Sequence, residues 1–173
     1  SVSDLTLSSR TLQSETGWIY REGAFTPTFM EPGTEVHVRN LFQHTPARLK
    51  FLKTPVAEAR EIRKKLASFA LNRPGVAFAA LRDGKPWINF PALKSEGTER
   101  LRERTAQVID ENFAEEALLL ETEEEGYCLT ALLGLPTDAH KTPLHQYLFV
   151  NGRAVKDKAL SMAIRLGYDD VMF

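Results

Sequence analysis

Gly33-Thr34-Glu35-Val36-His37-Val38-Arg39-Asn40-Leu41-Phe42-Gln43-His44-Thr45-Pro46-Ala47-Arg48-Leu49-Lys50-Phe51-Leu52 changes its period midway, and that change decides the fold class. Residues 35–41 alternate polar and apolar, which puts successive side chains on opposite faces of a half-buried strand opened by Gly33-Thr34. Thr45-Pro46 then reads as a helix start. Threonine can cap, and proline at the first helical position loses no hydrogen bond that the helix needs. A short helix over 47–52 follows, so strand and helix adjoin within one stretch.

The same signals extend in both directions. Thr54-Pro55 repeats the cap and proline, and Val56, Ala59, Ile62, Leu66, Phe69 and Ala70 recur at helical spacing. Arg60, Arg63, Lys64 and Lys65 lie largely off that stripe, and Asn72 to Gly75 ends the helix. Residues 76–81 and 85–90 flank Asp83-Gly84, a favoured two-residue hairpin turn. Upstream, Leu5-Thr6-Leu7 and Trp18-Ile19-Tyr20 read as short strands, and 24–32, which holds Pro27 and Pro32, reads as a loop. Downstream, 91–97 lacks periodicity and is a candidate domain boundary. Thr98 is placed to cap a helix reaching about Glu111. Residues 117–121 and 127–134 make a second hairpin across Glu123-Glu124-Glu125-Gly126. Residues 146–150 form a strand, Asn151-Gly152 a turn, and Asp157 a cap for a last helix carrying Leu160, Ala163, Ile164 and Leu166. Mixed elements with antiparallel hairpins predict an α+β architecture in two pieces that meet near 93–97. Trp18, Trp87, Phe42 and Phe51 are expected to pack, and Cys128, in an apolar strand, is expected to be a buried small hydrophobe.

Composition excludes more than it selects. No apolar run approaches the roughly 20 residues of a membrane helix. One cysteine, Cys128, rules out a disulfide within the chain, and His37, His44, His140 and His145 show no metal-ligand spacing. The net charge of −1 conceals blocks of charge. Residues 46–73 hold eight basic and two acidic residues, 110–125 eight acidic and no basic, and 141–168 five basic and one acidic. Such blocks set local fields, although solvated faces are their commonest use.

The stretch 33–52 resembles the signature of the MutL family of DNA mismatch repair proteins, GTxVxVxxLFxNTPARxKFL. Leu148-Phe149-Val150-Asn151-Gly152-Arg153-Ala154-Val155-Lys156-Asp157-Lys158 resembles that family's VNGRxxxDR segment. Ser1-Val2-Ser3-Asp4-Leu5-Thr6-Leu7-Ser8-Ser9-Arg10 resembles the strand after its GFRGEAL motif, and the three occur in the family's order. His44 replaces the usual Asn, and Lys156 and Lys158 stand where arginine is common.

The resemblance implies an internal segment of the family's N-terminal region. Residues 1–93 would be the later half of a GHKL-type α/β sandwich that binds ATP. Residues 94–173 would begin a ribosomal-protein-like βαβ transducer domain. The family's catalytic Glu, magnesium-binding Asn and phosphate lid match nothing here, so this segment alone is expected to be inactive. ATP and Mg belong to the complete protein. Of the nucleotide motifs, Gly33 and Thr34 remain; Thr34 would donate its hydroxyl toward the adenine-binding Asp and a bridging water. From the residues alone, Thr34 reads equally as a β-branched strand opener. Arg153, Lys156 and Lys158 would line a DNA groove, with a solvated helix start as the rival reading. The implied partners are duplex DNA, a mismatch-recognition protein of MutS type and a second copy in a homodimer, in the cytoplasm. The implied role is an ATP-dependent clamp that couples mismatch recognition to strand removal. A protein-interaction module, docking through the acidic run 110–125, is the alternative.

Overall fold

β1 (Asp4–Arg10) is the centre of a four-stranded antiparallel sheet with β2 (Gly17–Arg21), β3 (Ala24–Thr28) and β4 (Gly33–Arg39), in the order β3-β2-β1-β4. The computed structural model describes residues 2–136 and 145–169, so His140 and Lys141 lie outside the described residues. By internal contacts the chain divides into two compact units, Ser1–Glu58 and Ala59–Phe173.

In the first unit the register pairs Leu5 with Val38, and Leu7 with both Val36 and Tyr20. Strand periodicity therefore gathers Leu5, Leu7, Val36, Val38, Trp18 and Phe25 on one face. Residues 24–28 form a strand where the two prolines had suggested a loop. Glu22-Gly23, at φ 51° and 88°, closes a two-residue hairpin, and Pro27 is tolerated because β3 is an edge strand. α1 (Pro46–Leu49) is a single turn. The Thr45 hydroxyl makes no cap and instead donates to the Phe42 carbonyl at 3.4 Å. Phe51, expected to pack, is 83% exposed, because one turn of helix presents too little surface to enclose it.

α2 (Pro55–Asn72) lies in the second unit from Ala59 onward, and there it packs on the β5 (Phe78–Arg82) and β6 (Lys85–Phe90) hairpin through a core of Ala70, Ile88 and Phe90, ringed by Leu66, Phe78, Trp87 and Val108. Thr54 begins this helix as expected, accepting from the Ala57 amide at 3.3 Å. Asp83-Gly84 makes the hairpin turn at φ 53° and 75°. α3 (Gly97–Val108) starts without help from Thr98, since its cap residue is Glu96 and no side chain caps it. Asp110 caps α4 (Glu111–Glu116), accepting from the Phe113 amide at 2.8 Å. Arg102 donates to the Ala114 and Ala117 carbonyls that end this helix.

β7 (Leu118–Glu124) and β8 (Tyr127–Leu133) form a two-stranded hairpin. Cys128 is exposed there rather than buried, since among the described residues no third strand joins the pair. β9 (Leu148–Val150), β10 (Arg153–Val155) and α5 (Lys158–Asp169) follow. No helix among the described residues is long and apolar enough to cross a membrane.

Arg104 is fully buried and donates to the Pro74 and Val76 carbonyls and to Gln107. Leu93, inside the stretch expected to be a domain boundary, donates its amide to Pro74 at 3.0 Å. The segment 74–76 is thereby held against α3 and the chain that precedes it. Replacing Arg104 with Ala removes the donor to the Val76 carbonyl, leaves the Pro74 carbonyl with the Leu93 amide alone, and opens a void. The variant should lose about 2–4 kcal/mol in denaturant unfolding.

Tyr168 donates its hydroxyl to the Gly134 carbonyl at 2.8 Å, and burial raises its pKa above the ordinary 10.0. The folded state thus favours the neutral phenol, and its contribution is full below the unfolded pKa and lost as pH rises through the folded one. The melting temperature should fall above about pH 10, and Tyr168→Phe should reduce that fall.

Candidate functional site

Gly33 and Thr34 lie at the start of β4, opposite the end of β1, in the register Arg10↔Gly33 and Ser9↔Thr34. Gly33 adopts φ 146°, a backbone conformation closed to ordinary L residues, although open space surrounds the position where a Cβ would stand. The Thr34 hydroxyl lies 2.9 Å from that of Ser9, and Ser9 also reaches the Gly33 carbonyl at 3.3 Å. Thr34 is exposed, and the strand alternation puts it on the same face as Val36 and Val38. Ser9 was missed in the sequence, where it is one of several serines near Arg10; its cross-strand register is what pairs it with Thr34. Arg10, beside Gly33, is tied by a hydrogen bond to the Ser14 carbonyl at 2.7 Å and by an ion contact with Glu31 at 3.8 Å.

The basic candidates lie in the second unit, on one continuous run of strand, cap and helix. Asn151-Gly152, at φ 48° and 71°, turns β9 into β10, and Arg153 is the first residue after the turn. Asp157 caps α5 as its sequence position indicated: its carboxylate accepts from the Leu160 amide at 2.9 Å, and the Ser161 hydroxyl donates to its carbonyl at 2.7 Å. Lys156 precedes the cap, and Lys158 is the first helical residue. Arg153, Lys156 and Lys158 are all exposed, and none makes an ion pair with a described residue.

The last turn of α2 approaches this run. Asn72 donates its side-chain amide to the Gly152 carbonyl at 2.7 Å. The Arg73 guanidinium donates to the Asn72 carbonyl at 3.2 Å and lies 3.5 Å from where a Cβ on Gly152 would stand. Arg63, on the same helix, lies near enough to Tyr147 to oppose the rise that burial causes in that phenol's pKa. Asn72 and Arg73 carried no signal in the sequence beyond marking a helix end. Among the described residues, no three His, Cys, Asp or Glu side chains group as metal ligands.

Residues 105–173 match the family model described as the DNA mismatch repair protein, C-terminal domain. The chain is 37% identical over 177 residues to the DNA mismatch repair protein MutL of Paramagnetospirillum magneticum, covering 99% of this chain and 29% of that protein. It is 42% identical over 146 residues to MutL of Rhizobium rhizogenes, covering 84% of this chain and 23% of that protein. The chain therefore spans less than a third of these relatives. The Aquifex aeolicus MutL ATPase domain complexed with ADP superposes with a TM-score of 0.76 at 28% identity, over 95% of this chain and 63% of that one. The N-terminal domain of a DNA repair protein shares the fold at a TM-score of 0.76 and 16% identity.

The strain at Gly33 is testable apart from any ligand. Gly33→Ala meets no steric obstacle yet must adopt φ near 146°, so it should cost about 1–3 kcal/mol of stability, read by thermal or denaturant unfolding.

Proposed function

Because the chain belongs to the MutL family of DNA mismatch repair proteins, we propose that it is part of a nucleotide-switched clamp that holds duplex DNA without reading its sequence. In this reading residues 1–93 complete the ATP-binding domain, and residues 94–173 begin the domain that passes nucleotide state onward. A second copy and a mismatch-recognition protein of MutS type are the partners, in the cytoplasm.

The observation that carries the DNA role is the run Arg153, Lys156 and Lys158: exposed, adjacent and unpaired with any described carboxylate. A cation in the first turn of a helix opposes the helix dipole, a cost of about 0.3–1 kcal/mol that a bound phosphate offsets. Lys and Arg in such a run neutralise phosphates and release counterions without touching base edges. Lysine in place of arginine keeps the charge and gives up only the bidentate fork.

The nucleotide role rests on Gly33 and Thr34. The Thr34 hydroxyl, exposed and steadied by Ser9, fits a group that relays a hydrogen bond toward a nucleotide base. The ADP in the Aquifex aeolicus neighbour supports assigning a nucleotide to this fold. Bound ATP would supply the phosphates whose presence or loss orders and releases neighbouring segments. This chain's own part is to hold Thr34 at a strand end; magnesium is assigned to no residue here.

In the complete protein, Lys158→Glu should weaken duplex binding at all sequences alike. It should also flatten the slope of log affinity against log salt by about one unit. Stability should change by less than about 0.5 kcal/mol, since Lys158 is exposed and Glu suits a helix N-terminus. Unchanged affinity and slope in the folded variant would remove the DNA role from α5 and favour an interaction module.

A further inference from the structure

We propose that Asn72 is a positioning residue for the nucleic-acid surface, acting by latching the Asn151-Gly152 turn so that Arg153 is held in place; this rests on the reading of Arg153 as a phosphate contact. β9 and β10 share only the pairs Leu148↔Val155, Phe149↔Ala154 and Val150↔Arg153. A two-stranded ladder this short is marginal by itself. Among the described residues it belongs to no larger sheet, so its orientation must come from outside the hairpin.

Asn72 supplies that tie at the tip. Its side-chain amide reaches the Gly152 carbonyl at 2.7 Å, across 80 residues of sequence. A carbonyl in a tight turn points away from the ladder, so a donor from another element fixes the turn's direction as well as its place. Arg73 closes the same corner, its guanidinium lying 3.5 Å from the Cβ position of Gly152. Gly152 at φ 71° is left-handed, so a side chain there would be strained by the backbone, while its Cβ would lie in ordinary contact with Arg73.

The latch is effective only if its own base is rigid. Ala70, two residues before Asn72, is fully buried in the α2 core. Beyond Arg73, the Pro74 and Val76 carbonyls are gripped by buried Arg104. Asn72 thus stands between two fixed points and passes that rigidity to the turn. Arg153 follows the turn directly, so a swing of the turn carries its guanidinium with it.

The test uses the complete protein with Asn72→Ala and Asn72→Asp, the latter matching the shape but lacking the donor. Amide hydrogen exchange over residues 151–154 should quicken in both variants, while the α2 amides and the melting temperature hold. Duplex affinity of Asn72→Ala should fall about threefold to tenfold, the range of one lost hydrogen bond, and its salt slope should flatten toward that of Arg153→Ala. Adding Arg153→Ala to Asn72→Ala should then cost little more, whereas independent sites would add. Unchanged exchange at 151–154, or full additivity with Arg153→Ala, would overturn the latch. If Arg153→Ala alone leaves affinity and salt slope unaltered, the phosphate reading of Arg153 fails and takes the functional part of this proposal with it. The exchange data then still decide whether Asn72 holds the turn.

Discussion

A guanidinium paired with no carboxylate among the described residues organises the second unit. Arg104 is fully buried, and burial lowers its pKa. Burying a cation is costly unless its donors are used, and guanidinium is the cation best suited to it, being weakly hydrated and rich in planar donors. Here Nη2 meets the Pro74 and Val76 carbonyls and Nη1 meets Gln107, while the buried Nε has no hydrogen-bond partner among the described residues. Those carbonyls belong to the segment leaving α2, where a helix end releases backbone groups that need partners. One side chain on α3 thereby joins the exit of α2 to the entry of β5. The position of Asn72, and through it the β9–β10 turn, follows from that junction.

Stability and recognition are arranged differently along the chain. The more enclosed polar side chains find backbone carbonyls: Arg102 on the end of α4, Arg104 on residues 74 and 76 through its Nη2, Tyr168 on Gly134. The proposed DNA surface is the reverse, with exposed cations, no described carboxylate to pair with, and Lys158 set where the helix dipole disfavours it. Asp157 keeps the helix start intact by capping it, so the unfavourable charge does not unravel the turn that presents it. A local rule broken beside a local rule kept is the pattern expected where binding competes with folding.

Elements set by chemistry within a few residues were legible. The Asp83-Gly84 and Asn151-Gly152 turns, the Thr54 and Asp157 caps and the strand conformation of residues 35–39 each depend on neighbours in sequence, whereas the half-buried face expected of that strand is exposed, Val36 and Val38 included. Misreadings came where the deciding contact lay elsewhere. Residues 24–28 are a strand because they close on β2, and an edge position removes the objection to Pro27. Thr98 sits at a helix start but does not cap it, since the helix begins one residue earlier, at Gly97. Phe51 and Cys128 are apolar enough for a core, but the elements around them are too thin to supply one.

Periodicities, turns, the α+β class and the family can all be read along the chain, because each is written in residues close together or in motifs long enough to be specific. The exposed cations and the Gly33-Thr34 pair are legible there too. Only the tertiary structure decided what those residues touch. Ser9 meets Thr34 through strand register, Arg104 meets Pro74 and Val76 by burial, and Asn72 meets Gly152 across most of the second unit. Serine, arginine and asparagine are ordinary surface residues in any local reading. What sets these apart is that folding removes water from around them or brings a lone pair within reach, and both depend on chain segments far away in sequence.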